Sequence, residues 1–418
     1  MRWLTEFHPT GHGWALLGAT GALCAIGVGG IYLSEHELTE TAAGLSAAAR
    51  QLIYVVAGAV AMAATMRVSY KEIGRLTWVI YGGVVGLLVL LVVARVLARW
   101  SIQLPLIPPS RDTFRWIQLP GFQVQPSEFA KPAVVVALAW YLRFRRNYRS
   151  LPGLAGPFVL TVAPMLLILL EPDLGTAVLL MPVLLLMLLL AGAKVRHLAA
   201  VVAACCLAGP LMFHFAMRDY QKMRVLGPLM QSESVRAFVL DHPGGLAAMG
   251  IDQNLVRRWK VDKGEQLAQS KIAIGSGGLA GRWSDDHVRY LELPDRHNDF
   301  IFAVVANRWG LLGGAVVLLC FAVIALVGLD IAAETPDPFA RLLAVGLTAV
   351  LCVQCLINVG MAVGLTPVTG MTLPFVSYGG SSMVASFLMV GLLINVARRR
   401  PVLLSRKPFE YDRDTNGL

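Results

Sequence analysis

Residues Thr176 to Ala193 read TAVLLMPVLLLMLLLAGA, eighteen residues without a charge. As an α-helix this stretch rises about 27 Å, close to the thickness of the hydrocarbon core of a bilayer. Its apolar residues are continuous and do not alternate, which argues against a barrel strand. In hydrocarbon the backbone must bond to itself, so a continuous apolar run of this length reads as a membrane-spanning helix.

Working outward, equivalent runs occur at 14–33, 47–66, 77–97, 129–144, 154–170, 198–217, 300–328, 340–363 and 381–397. With 176–193 they predict about ten transmembrane helices, an all-α polytopic membrane protein. Composition agrees: 56% of the residues are hydrophobic and 15% charged, against roughly 25% charged in a soluble domain. The first run is too long for a signal-peptide core and has no clear small-residue cleavage site, so it is expected to be retained as a span. The six cysteines (24, 205, 206, 320, 352 and 355) all fall in apolar runs. That placement argues against a disulfide framework, and Cys352 and Cys355 read as small residues on one buried helical turn.

The net charge of +10 sits beside the apolar runs, with no basic and aromatic groove for nucleic acid. Basic residues follow the second run (Arg67, Lys71, Arg75), the fourth (Arg143, Arg145, Arg146, Arg149), the sixth (Lys194, Arg196) and the tenth (Arg398, Arg399, Arg400). The segment after the first is acidic, with Glu35, Glu37 and Glu40. The positive-inside rule then places both termini in the cytoplasm. The acidic loop 330–340 fits this pattern least well. One transmembrane domain is expected over 1–400, with a polar cytoplasmic tail at 401–418. Two extracytoplasmic segments stand out, 98–128 and 218–298, the second with a candidate amphipathic interfacial helix at Glu233–Leu246.

Ionisable residues at membrane depth are costly and are functional candidates by default. In Pro126-Ser127-Glu128-Phe129-Ala130-Lys131, Glu128 and Lys131 share a helix face. They either pin two helices or line an outward polar cavity, with Arg115 and Trp116 offering an anion contact and a stacking face. Glu171-Pro172-Asp173-Leu174-Gly175-Thr176 is either a tight turn with an Asp cap or a pair of carboxylates for a cation or a sugar hydroxyl. Asp299, in Asp295-Arg296-His297-Asn298-Asp299-Phe300, stands where a polar segment meets an apolar run. It either caps the helix or acts as a general base. The loop 364–382, with Ser377, Tyr378, Gly379, Gly380 and Ser381, is irregular backbone. It is expected either to bind an anionic headgroup through its amides or to be a re-entrant structural loop.

PSEFAK, EPDLGT, QSKIAIGSGGL (269–279), LPDRHNDFIFAV and LPFVSYGGSS occur in the order and spacing of the SEDS family, which this chain resembles over nearly its whole length. The resemblance implies a peptidoglycan glycosyltransferase of the bacterial inner membrane. It would polymerise lipid II at the periplasmic face beside a class B penicillin-binding protein of the elongation or division machinery. It implies Asp299 as the essential aspartate, Glu128 and Lys131 as the conserved pair, and Gln354 and Asn358 as polar positions of the ninth span. Transfer needs a base for the acceptor's 4-hydroxyl and positive charge for the departing diphosphate. Lys131, Arg115 and Arg224 are the candidates for that charge, and a divalent cation such as Mg2+ or Mn2+ is left open. An elongation (RodA-like) role is favoured over a division (FtsW-like) one. The chain departs from the family pattern at Asn298, at Asn307 and Arg308, at Arg282–His287, and in a longer segment before Gln269. A lipid II flippase, a non-enzymatic scaffold and another membrane glycosyltransferase such as an O-antigen ligase are the competing readings.

Overall fold

The computed structural model describes residues 11–36, 45–109, 113–120, 122–144, 152–215, 219–232, 263–282 and 297–399, with isolated positions 150, 234, 237 and 241. In chain order the elements are α1 (Gly11–His36), α2 (Ala47–Arg67), α3 (Tyr70–Arg75), α4 (Thr77–Ala98), β1 (Ile117–Leu119), β2 (Phe122–Val124) and α5 (Pro126–Leu142). They continue with α6 (Ala155–Leu170), α7 (Leu174–Ala191), α8 (Val195–Phe215), α9 (Asp219–Met230), α10 (Lys263–Ser276), α11 (Ile301–Glu334), α12 (Pro338–Val363) and α13 (Gly380–Arg398). Among the described residues nine helices are long and apolar enough to cross a membrane: α1, α2, α4, α6, α7, α8, α11, α12 and α13. The tenth expected span is α5, a helix of 17 residues enclosed by protein. The tail 401–418 and most of Glu233–Leu246 lie outside the described residues, as do Glu37, Glu40, Asp295 and Arg296.

The bundle is graded from centre to rim. Of the span window in α13, 83% is buried, and in α12 72%, whereas in α8 only 6% is. Lipid tails give helices no hydrophobic reason to associate, so close packing must come from small residues. At the α2–α13 contact, Gly58 meets the Phe387 ring and Gly391 meets Thr65, each so closely that an added Cβ would collide. Polar caps hold the same pair. Asn395 donates through Nδ2 to Thr65 O at 2.5 Å and accepts from Tyr70 N at 3.3 Å.

These contacts put the ends of α2 and α13 on one face. The acidic 330–340 loop joins that face through Asp337, which caps α12 by accepting from Phe339 N at 3.1 Å. Asp337 also acts on Tyr70 and Arg143 from two other loops. The Asp337 charge is thus opposed by that of Arg143, just past α5. Burial first and Asp337 second push the Tyr70 hydroxyl up to about 12.

Two features go beyond the expectation of helices alone. The segment 98–128 contains an antiparallel ribbon pairing Ile117 with Val124, Gln118 with Gln123 and Leu119 with Phe122. In addition, α11 is broken at Gly310, whose φ of 66° and ψ of −161° leave the helical region. The turn segment 277–282 crosses there: Leu311 N donates to Gly278 O at 2.8 Å and Arg282 N to Asn307 O at 3.1 Å. A Cβ on Gly310 would lie 2.4 Å from Gly281 N, so only glycine admits the crossing.

Candidate active site

Asp299 is half-buried in the turn 297–300 that leads into α11. Three successive carbonyls of this turn are each held by a different donor. His297 O accepts from Tyr378 N at 2.8 Å. Asn298 O accepts from Ser377 Oγ at 2.6 Å, and Asp299 O from Asn358 Nδ2 at 2.9 Å. The His297 ring is tethered as well, with Nδ1 3.0 Å from Ser34 Oγ. Ser34 Oγ also lies within hydrogen-bond distance of Ile31 O, at 2.9 Å. Three consecutive carbonyls of the turn that carries Asp299 are thus held in place. The Asp299 carboxylate faces Gly370, where a Cβ would come within 3.3 Å of Oδ2.

The second element of the site is buried. Lys131 Nζ lies 2.7 Å from Glu128 Oε2 and 2.8 Å from Gln354 Oε1, and the Lys131 side chain is 1% exposed. Gln354 passes the connection on through Nε2, to Thr372 O at 2.8 Å and Thr372 Oγ1 at 3.2 Å. Thr372 in turn contacts Ser382 Oγ at 2.7 Å. Gln354 and Asn358 are four apart on α12, so they share a face and lie about 6 Å apart along it. One amide reads Thr372 O and the other Met371 O, at 2.5 Å. The loop backbone at 371–372 therefore ties the Glu128–Lys131 pair to Asp299.

The third element is the turn between α6 and α7. Asp173 caps α7 as expected, with Oδ1 accepting from Thr176 N at 3.2 Å, while Oδ2 accepts from Ser127 Oγ at 3.1 Å and Thr176 Oγ1 at 2.9 Å. Arg115 donates through Nε to Glu171 O at 2.6 Å and through Nη2 to Pro172 O. This clamps the base of the ribbon to the turn, and Trp116 is half-buried beside it. Glu171 is 2% exposed, and neither carboxylate oxygen has a hydrogen-bond partner. Burial, then the charge of Asp173, push its carboxyl up to about 9 against the opposing pull of Arg115.

The loop 364–379 uses its amides internally. Leu373 N donates to Ser377 Oγ, Val376 N and Ser377 N to Leu373 O, and Gly379 N to Gln51 Oε1 at 3.3 Å. With Tyr378 N on His297 O, these amides are unavailable to an anionic headgroup in this arrangement. Burial and then Tyr54 push the Tyr378 hydroxyl above its ordinary range. Gly380 sits against the Tyr54 ring. Ser381 joins the ribbon, accepting from Gln125 N at 2.9 Å and donating to Gln123 O at 3.1 Å. Arg224 is carried by α9, and its side chain lies outside the described residues. Asn307 replaces an expected acid by donating to Ala273 O and Ser276 Oγ, at 2.9 and 2.7 Å.

Sequence reasoning missed Gln51, fully buried, which donates to Ser377 O at 2.9 Å. It also missed Ser34, Thr372 and Ser382. A lone amide in an apolar helix was the available signal, but it names no partner. An apolar cavity of about 500 Å³ opens between α2, α4, α5 and α13, lined by Ala61, Thr65, Ile80, Phe129, Val136 and Leu392 among others. Among the described residues no three His, Cys, Asp or Glu side chains converge on a metal position.

The chain from residue 13 to 401 matches the cell cycle protein family FtsW/RodA/SpoVE. It is 36% identical over 296 residues to the peptidoglycan glycosyltransferase MrdB of Escherichia coli K12, covering 70% of this chain and 73% of that one. It is 31% identical over 354 residues to a probable peptidoglycan glycosyltransferase FtsW of Geobacter metallireducens, covering 84% of each. A structure described as coordinating polymerisation and crosslinking in a peptidoglycan synthase complex superposes with a TM-score of 0.71 at 26% identity, over 92% of this chain and 97% of that one. The crystal structure of the rod shape determining protein RodA of Thermus thermophilus gives 0.60 at 25% identity, over 93% and 97%. Among the described residues, nine helices able to cross a membrane, the enclosed α5 and its buried Glu128–Lys131 pair, and the Asp299 turn held at three carbonyls thus occur in a chain that belongs to the SEDS family, the FtsW/RodA/SpoVE cell cycle proteins.

Proposed function

We propose that this protein is a peptidoglycan glycosyltransferase that polymerises lipid II into glycan strands, with Asp299 as its general base. The observation that carries the reading is the three-point fixation of the 297–299 backbone beside a buried carboxylate–ammonium pair. The acceptor's 4-hydroxyl attacks the anomeric carbon of the donor sugar. Asp299 takes the hydroxyl proton, the new glycosidic bond forms, and the bond to the diphosphate breaks with its electron pair leaving on oxygen. Direct attack on an α-linked donor gives a β-linked product. Lys131 is the candidate for steadying the diphosphate, held in place by Glu128 and Gln354. The apolar cavity reaches Phe129, next to Glu128, and suits the lipid carrier's tail.

The basic exits of the even-numbered spans support an active face on the extracytoplasmic side. The structural likeness to a chain of a peptidoglycan synthase complex supports a class B penicillin-binding protein as partner. We favour elongation over division, supported by the structural likeness to the rod shape determining protein RodA. Restored rod shape in elongation-depleted cells, with no rescue of division-depleted cells, is the expected result; the reverse pattern assigns division. The enzymatic reading is tested by incubating purified protein in detergent with labelled lipid II. Glycan ladders are expected. A flippase needs two compartments and a scaffold makes no polymer, so either would leave lipid II unchanged.

A further inference from the structure

The ribbon 117–124 has one wholly apolar face. In an antiparallel pair, directly opposed residues share a side, so Ile117, Val124, Leu119 and Phe122 lie on one face and Gln118 and Gln123 on the other. The base of the apolar face is covered: Ile117 packs with Leu104 and Phe114 against Leu91 and Ala94 of α4 and Ile107 of the segment after it. Its tip is bare, with Phe122 52% and Leu119 36% exposed. A two-stranded ribbon is marginal in water by itself, so a bare apolar tip calls for cover.

The neighbouring surface indicates what that cover is. Val89, Val93 and Val96 form an exposed stripe along the span α4. At helical spacing the stripe runs on to Trp100, 76% exposed, and beyond it to Ile102 and Leu106. Gln118 N donates to Leu106 O at 2.8 Å, which locks this segment to β1. The exposed apolar stripe of α4 thus leads past Trp100, which is flanked by the exposed polar residues Arg99, Ser101 and Gln103, to the segment bonded to β1. Depth is limited by the backbone: open ribbon edges do not persist in hydrocarbon, whereas the headgroup zone supplies water for them. A tryptophan at a span end is typical of that zone.

We propose that the ribbon is a membrane-seated wing. Its Leu119–Phe122 face lies against the acyl chains of the leaflet on the Asp299 side, and its Gln118–Gln123 face is turned to the headgroups. The partner is bulk phospholipid of that leaflet. The wing sets the depth of the site, because Arg115 at its base is clamped to the α6–α7 turn and Ser381 ties β2 to α13.

The test uses the full chain in vesicles of phosphatidylethanolamine and phosphatidylglycerol. A photoreactive benzoylphenylalanine replaces Phe122, Leu119, Gln118 or Gln123 in turn, and adducts are read by mass spectrometry after irradiation. Phospholipid adducts are expected at 119 and 122, at least several-fold above those at 118 and 123. Equal adducts on both faces, or none at 122, would overturn the proposal. So would adducts at 122 that shift from lipid to a co-reconstituted transpeptidase. The readout needs no polymerase activity, so its failure is separable from failure of the glycosyltransferase reading.

Discussion

Replacing Lys131 by methionine separates a catalytic cation from a structural pin. Lys131 and Glu128 are 1% and 7% exposed and 2.7 Å apart. Removing one member of such a pair leaves an unpaired buried charge and costs about 3–5 kcal/mol. Gln354 Oε1 also loses its donor, which is part of that cost. The double variant Lys131→Met/Glu128→Gln removes the orphaned charge and retains only the loss of hydrogen bonds, about 1–3 kcal/mol. Unfolding in mixed micelles, titrated with denaturing detergent, should therefore show the double variant more stable than the single one by about 2 kcal/mol. If the ammonium steadies the diphosphate, the double variant must still fail to polymerise lipid II, with a rate reduced by about 100-fold or more. A double variant that is both stable and active would refute the catalytic reading and leave the pair as a pin between α5 and α12.

Other outcomes follow from the same geometry. Glu171, pushed up from 4.5 to about 9, keeps a proton that the unfolded chain releases, so it costs stability as pH rises across that window, by at most about 1.4 kcal/mol per pH unit. Glu171→Gln should match the parent near pH 5 and unfold later than it at pH 8, and a gap that stays constant with pH would contradict this. Gly370 has φ +73° and faces Asp299 Oδ2; Gly370→Ala should cost about 1–2 kcal/mol of stability and a larger share of polymerisation rate, measured on gels. Asn358→Leu removes the donor to Asp299 O and Met371 O. It should leave lipid II affinity within a few-fold while the turnover rate falls, and an affinity loss without a rate loss would assign Asn358 to substrate binding.

The spans were legible because hydrocarbon enforces helices and long apolar runs mark them; each of the ten runs is helical. α5 was the least certain at its ends, since its 17 residues are shielded by protein and need not match the bilayer. The ribbon was missed although Ile117-Gln118-Leu119 and Phe122-Gln123-Val124 alternate around Pro120-Gly121. The membrane signal on both sides overshadowed that short period of two. At the site, Asp299, Glu128 and Lys131 stood out as charges beside apolar runs. The part played by Gln354 and Asn358 as a two-rung bridge did not, because it depends on carbonyls of the irregular loop at 371–372. Gln51 is the same case, with its partner Ser377 on the far side of the chain. Pattern shows where a polar side chain is buried, and only tertiary packing shows which carbonyl it serves.

Asp299→Asn tests the central claim most directly, because it keeps the side chain's size and the carbonyl fixed by Asn358 while removing the base. With purified protein and labelled lipid II, the account predicts a polymerisation rate lower by about 10²–10⁴-fold, with lipid II binding and unfolding midpoint unchanged. A rate within a few-fold of the parent would contradict it.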